Sequence, residues 1–457
     1  MSDSSRQSVM FEGIADKPLL VKFDRPDQSS DAGAVLLKAV DEKLGLTEQF
    51  AEALHDRRQP SKVQHELLEL VRQRVYGIAC GYSDGNDAAK LRNDPVMKIV
   101  CKEGAGEDQR LASQPTLSRF ENAFRRTDLL RAGYALADAV IAEQKRRRAR
   151  SKPKRMIIDV DAVADATYGD QQLTMFNDHY GHYCYLPAIL TLQFDQESDQ
   201  HLLGVALRPG NRKGFQDVVT LLKRVVRRVR EAFPKARLVV RMDADYGAPE
   251  VFDYLEKDDL LYLVALRKNE VLTRLAEPLM NAVRAESEKT QATVTRYGDF
   301  RYAANTWGRK RRVVFKAERL VCEGKSPKDN PRFVVTNMDW SARNSYKAYC
   351  QRGDSENRIK ELVDGLRLDL TSCTDFQANQ LRCLLTAASY VLYQQVRGRA
   401  TEAGLEEAQV PTLRERLVKV AALVQESVRR IWMHLPSDYP WAGAWRRVAL
   451  ACGADTG

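Results

Sequence analysis

In-line phosphoryl chemistry on hard cations needs carboxylates that converge, and this chain offers a set of them. Asp161 lies in the apolar, β-branched run Met156–Val163, and Asp159, two residues earlier, shares its strand face. Asp243 follows the run RLVVRM at the carboxyl end of a second strand, where open α/β sheets gather ligands. Asp245 is its neighbour and alternative. Glu356 opens a later helical stretch, whose N-terminus would face the same sheet edge. Mg²⁺ prefers oxygen ligands. Two such ions about 3.5–4 Å apart stabilise both the attacking and the leaving oxygen. Asp161, Asp243 and Glu356 are enough to hold that pair, with Asp159 as the alternative to Asp161.

The elements that must position these groups are legible from periodicity. Helical three- and four-residue spacing marks Ala32–Ala79 and continues through Leu129, Leu130 and Ala137 to Ile141. Ser113 to Asn122 reads as a helix start, and Arg119 on it could face a major groove as in helix-turn-helix modules. Lys145 to Arg155 carries eight basic residues among eleven, Arg147 and Arg148 included. It reads as a domain boundary, and either as a solvated helix end and linker or as a phosphate-contacting joint. The period then changes to two, and residues 156–266 read β-β-β-α-β-α-β, with strands at Met156–Val163, His182–Phe194, His201–Leu207, Arg237–Met242 and Leu260–Leu266. His179 and His182 precede the second strand. In residues 270–345 a helical piece, Val271–Glu286, leads into short alternating strands, a β-rich insertion. Helical patterning resumes from Arg352 through Val396, and again over Leu413–Trp432.

The stretch Tyr349-x-x-Arg352-x-x-x-Glu356, in YCQRGDSENRIKEL, resembles the DDE transposases of bacterial insertion sequences, the cut-and-paste group with a Tyr-Arg-Glu-Lys signature. MIIDVDAVADATYGDQQ and VVRMDADYGAPEVFDYLE resemble the motifs that carry that family's two aspartates. Val363 stands where the signature lysine is expected, and Lys360, one turn earlier, is its substitute. The resemblance implies a ribonuclease-H-like mixed five-stranded sheet with a β-rich insertion, preceded by a mostly helical N-terminal domain and followed by a helical C-terminal region. The implied segments are 1–145 (DNA-end binding), 146–269 and 346–400 (the two parts of the catalytic core), 270–345 (insertion) and 401–457. It also implies two Mg²⁺, for which Mn²⁺ can substitute, on Asp161, Asp243 and Glu356. The expected partners are double-stranded DNA, as terminal inverted repeats and target, and a second copy in a homodimer on paired ends. The expected chemistry is strand cleavage and transfer through a hairpin. Tyr349, Arg352 and Lys360 are expected on DNA. In the insertion, Trp307 beside Arg309, Lys310 and Arg311 reads either as core packing, the commoner fate of a tryptophan, or as base stacking among phosphate contacts, with Trp340 as the competing aromatic.

Composition is compatible with this. The 457 residues are 44% hydrophobic and 29% charged, and the net charge of +10 favours a polyanionic partner. Those fractions exclude wholesale disorder. No run approaches the roughly 18 apolar residues of a membrane helix, and the first twenty residues lack a basic-then-apolar leader pattern. A cytoplasmic, nucleoid-associated prokaryotic protein is expected. The eight cysteines form no C-x-x-C pair, which argues against structural zinc and for reduced thiols. Two other readings fit the same residues: a metal-dependent endonuclease on this core, and a catalytically inactive transposase-derived DNA-binding protein.

Overall fold

A computed structural model describes residues 8–106 and 109–456. They form two compact units. The larger holds 41–57 and 120–394; the smaller holds the described residues up to Val40, Arg58–Arg119 and those from Gln395 on.

The larger unit is built on one mixed sheet. Its strands are β1 (Arg155–Ala162), β2 (Ala188–Phe194), β3 (Gln200–Ala206), β4 (Arg237–Met242), β5 (Leu261–Leu266), β6 (Val294–Tyr302), β7 (Arg311–Cys322), β8 (Lys325–Asp329) and β9 (Arg332–Thr336). Their order is β6-β7-β9-β5-β4-β1-β2-β3, with β8 paired to β7. β4 runs parallel to β1 and to β5, whereas β2 is antiparallel to β1 and β3. Residues of β1 and β4 from Met156 to Val160 and Leu238 to Met242 are buried without alternation, as expected for strands covered on both faces. Five cysteines are buried.

Helices flank the sheet: α1 (Arg126–Arg147), α2 (Val218–Ala232), α3 (Pro249–Lys257), α4 (Glu270–Thr290), α5 (Ala342–Cys350), α6 (Gly353–Lys360) and α7 (Phe376–Arg397). In α2 the buried residues Val218, Leu222, Val226 and Val229 recur at helical spacing and leave Lys223, Arg224 and Arg227 on the other side. The β-rich insertion is not a separate sheet. β9 pairs antiparallel with β5, and β7 with β9, so 294–336 extends the sheet that carries Asp161 and Asp243.

Three local expectations are corrected. His182–Phe194 is two strands in different sheets, His182–Tyr185 and β2, because Pro187 has no N–H to continue the ladder. The helix read from Arg352 to Val396 is interrupted. A π-turn at Glu361–Gly365 ends it, and α7 starts afresh where Asp375 Oδ1 accepts from the amides of Gln377 and Ala378. Leu413–Trp432 is not one helix. Val420, Ala422 and Val424 are buried with exposed or half-buried residues between, a period of two. Ala422–Glu426 accordingly forms the middle strand between Ile431–His434 and Gln28–Ser29. In this smaller unit the first and last parts of the chain therefore share one sheet. Buried Asp31 ties them further, accepting from Lys419 Nζ at 2.7 Å and Tyr82 Oη at 2.8 Å.

His201 in β3 gives a pH prediction. It is 5% exposed, packs on Phe194, and its Nε2 has no hydrogen-bond partner. Burial first, then Arg148 and Arg147, pulls its pKa down to about 3. The unfolded chain takes up the proton at a higher pH than the folded one does, so stability falls as pH drops below the ordinary imidazole value of 6.5. The slope approaches ~1.4 kcal/mol per pH unit from this group. Urea unfolding at pH 4.5 and 7 should show that loss, and His201→Leu should flatten it.

Candidate active site

β1 and β4 are paired in register, Arg241 opposite Asp159, so both strands deliver an acidic residue to the same sheet edge. Asp159 stays inside the sheet. Arg241 Nε and Nη2 grip its two oxygens at 2.5 and 2.7 Å, and Gln200 Nε2 adds a contact at 3.3 Å. The pair is almost fully buried, 0% and 2% exposed. Arg241 also donates to Ala348 O at 2.7 Å, which fixes α5 to the strands. Asp161, one pleat further on, has emerged from this network. Its Oδ1 accepts from the Ala162 amide at 3.0 Å.

Asp243 ends β4 and caps the turn Ala244–Tyr246, accepting from the Asp245 amide at 2.9 Å. Glu356 projects from α6 and is half-exposed. Arg352 links two of the three. Its Nη1 donates to Asp161 Oδ2, and its Nη2 to Glu356 Oε1 at 3.0 Å. Burial raises the Asp161 pKa to about 6; Arg352 opposes the shift, and Asp243 and Glu356 add to it. Burial and then Asp245 raise Asp243 as well. Burial raises the Tyr349 phenol, while a hydrogen bond with Arg352 and that residue's charge oppose the shift. Carboxylates that share a desolvated edge and raise one another's pKa are a functional signature.

The far side of α6 is anchored in the core. Glu361, 3% exposed, accepts from Tyr390 Oη at 2.6 Å and from Arg358 Nη1 at 3.4 Å. Because the π-turn begins directly after Lys360, the helical phase slips before Val363, which is half-buried, while Lys360 is exposed.

A family model described as "Transposase DDE domain group 1" matches residues 11–452. The chain belongs to the DDE transposase family. It is thus a member of a family of enzymes that cut DNA and transfer its strands. Among solved structures it is similar to a piggyBac transposase synaptic complex with hairpin DNA, at 11% identity and a TM-score of 0.43, covering 90% of this chain and 81% of that one. No curated protein matches. Among the described residues no helix is long and apolar enough to cross a membrane.

DDE transposases use divalent metal ions. Among the described residues of this transposase no three His, Cys, Asp or Glu side chains stand at metal-holding spacing. Arg352 lies between Asp161 and Glu356 instead. The donor chemistry nonetheless fits a hard cation: three carboxylates, two of them desolvated and raised in pKa, on one edge.

The remaining sequence-derived residues fall in several places. Trp307 is 8% exposed, enclosed by Phe252 and Tyr302 at 5.1 and 5.5 Å between ring centres and by the Arg311 guanidinium. Arg311 is buried on Glu256 and Asp253. Lys310 is exposed, and Arg309, also exposed, is paired with Glu256. The structure thus buries two members of the four-residue stacking patch read from sequence. Trp340 is half-buried under the Arg155 guanidinium, 4.8 Å from its ring centre. Arg119 and Arg147 are exposed; Arg148 packs on Phe194 and pairs with Glu197. The Arg241–Asp159 lock was missed in sequence. Its signal was present: an arginine and an aspartate at equivalent positions of two buried parallel strands.

Proposed function

We propose that this transposase cuts and joins DNA at the ends of its own insertion sequence, with Asp161, Asp243 and Glu356 as the catalytic carboxylates. The observation that carries the reading is the bridge Asp161–Arg352–Glu356 beside Asp243 at the ends of two parallel strands. The order β3-β2-β1-β4-β5, in which only β2 runs against the other four, supports a ribonuclease-H-like core.

Two Mg²⁺, or Mn²⁺, held by the three carboxylates would supply Lewis-acid stabilisation of the attacking and leaving oxygens. The chain's own groups do the rest. Asp159 takes no part in ligation, because Arg241 occupies both its oxygens; it fixes β1 against β4 and so aims Asp161. Arg352 neutralises Asp161 and Glu356 in the free protein and is placed to meet a phosphate bidentately. Tyr349 orients Arg352, and Lys360 contacts phosphate from the exposed side of α6. The helix Gln114–Glu121, with Arg119 exposed, reads terminal inverted repeats, and Arg147, Arg309 and Lys310 add backbone contacts. A homodimer pairs two ends, and cleavage passes through a hairpin.

The test is cleavage of labelled linear DNA carrying the element's own end. Cutting at the boundary is expected with Mg²⁺ and none in EDTA. Tight end binding without cutting by pure protein would overturn the catalytic reading in favour of a DNA-binding descendant. Cutting without preference for the element end would favour a general endonuclease.

A further inference from the structure

The segment between β1 and β2 leaves the large sheet and forms a small one of its own. Asp165–Ala166 and Met175–Asn177 both pair with His182–Tyr185. Its tip carries aromatic side chains that the fold does not cover: Phe176 is 48% exposed, Tyr180 44% and Tyr183 58%. Scattered exposed aromatics are ordinary; a contiguous set is not. These are organised. Phe176 and Tyr183 meet edge to face at 5.5 Å, and Tyr180 lies parallel to His182 at 6.2 Å with an interplanar angle of 13°. Asn177 Oδ1 accepts from the amides of His179 and Tyr180 at 2.9 and 3.2 Å, so the turn that presents Tyr180 is held by its own side chain.

The hairpin is also tied to the catalytic edge. The loop Arg208–Gly214 runs between them. At one end Asn177 Nδ2 donates to Gly210 O at 2.7 Å, and a Cβ on Gly210 would lie 2.3 Å from Cys184 O and 2.5 Å from Met175 O. At the other end a Cβ on Gly214 would lie 2.8 Å from Asp245 Cβ, two residues from Asp243. Both glycines are therefore required by close approach. After burial, the charges of Asp245, Asp161 and Asp243 raise the Tyr180 phenol, so the ring stands within electrostatic reach of the carboxylates. The same loop, held to the hairpin through Gly210, exposes Lys213 and Arg212, the latter paired with Asp217 at 3.8 Å.

We propose that the hairpin Met175–Tyr185, with Arg212 and Lys213, is a stacking platform that holds unpaired nucleotides of a DNA end beside Asp161 and Asp243. The placement beside the carboxylates rests on the proposed active site; the binding of unpaired nucleotides does not. Exposed rings offer bases a π-face irrespective of sequence, and the two cations answer the phosphates between them. Duplex DNA, whose bases are stacked already, gains nothing from the rings. Trp307, 8% exposed, offers bases no such face.

The experiment is fluorescence anisotropy in EDTA, with full-length protein and two labelled duplexes of one sequence, one blunt and one with a four-thymidine single-stranded tail. Wild type is expected to bind the tailed duplex at least tenfold more tightly. Tyr180→Ala/Tyr183→Ala should lose that preference, on the order of tenfold on the tailed duplex and less than twofold on the blunt one. Tyr180→Phe, which keeps the ring, should retain the preference and controls for misfolding. No tail preference in wild type, an unchanged preference in the double variant, or an equal loss on both duplexes would overturn the proposal. Because no cutting occurs in EDTA, failure of the catalytic reading would appear in the cleavage assay and leave this result standing.

Discussion

Glu356→Gln is expected to abolish strand cleavage while leaving binding to the element end within about twofold of wild type. The substitution keeps the size of the side chain and its hydrogen bond from Arg352, since an amide oxygen accepts where Oε1 does now. It removes one anionic oxygen donor for a divalent ion. Metal stabilisation of transition-state charge is worth several kcal/mol, and about 4 kcal/mol corresponds to roughly 10³-fold in rate. Stability should hardly change, because Glu356 is half-exposed and surface ion pairs contribute about 0–1 kcal/mol. Gel assays of cleavage and end binding on the same preparation check both halves. Cleavage within tenfold of wild type would remove Glu356 from the site and with it the triad.

The site was legible where side-chain identity and strand position coincide. RLVVRM followed by Asp243 gave a strand with its boundaries and an acid at its carboxyl end, because a continuous apolar run bounded by charge admits little else. Arg352 and Glu356 sit one helical turn apart, and a helix makes them neighbours in any context. Long-range pairing was not legible in the same way. The Asp159–Arg241 pair spans 82 residues, and nothing local distinguishes Asp159 from Asp161. Only the parallel register of β1 with β4 puts Arg241 opposite Asp159. The fate of Trp307 was equally non-local. An aromatic followed by four basic residues admits both a core and a nucleic-acid reading, and only Phe252, Tyr302 and Glu256, arriving from distant segments to enclose it, put the ring in the core. The C-terminal strands were missed for a different reason. Ala422–Glu426 is covered on one side by a strand from residues 28–29, a partner that no window over 413–432 contains.

The sharpest separation of roles is expected between the two aspartates of β1. Asp159→Asn leaves the Arg241 guanidinium 0% exposed without its anionic partner. Gln193 Oε1 and Ala348 O still accept from it at 3.2 and 2.7 Å, but neither carries charge. Removing one member of a buried pair costs about 3–5 kcal/mol, because the other charge stays buried and uncompensated. Urea unfolding of Asp159→Asn should lose that amount, and any fall in cleavage should follow the loss of folded protein. Asp161→Asn should behave in the opposite sense. Burial already disfavours its charge, holding the pKa at about 6, so an uncharged amide relieves a cost, while Arg352 keeps Glu356. Its unfolding midpoint should stay within about 1 kcal/mol of wild type at pH 7, and cleavage should vanish. If instead Asp159→Asn is stable and inactive while Asp161→Asn still cuts, the assignment of the two acids is reversed. Arg241 would then have to release Asp159 for the metal. One strand thus carries two aspartates on one face, and a single pleat of distance from the sheet edge separates the one locked on Arg241 from the one proposed for the chemistry.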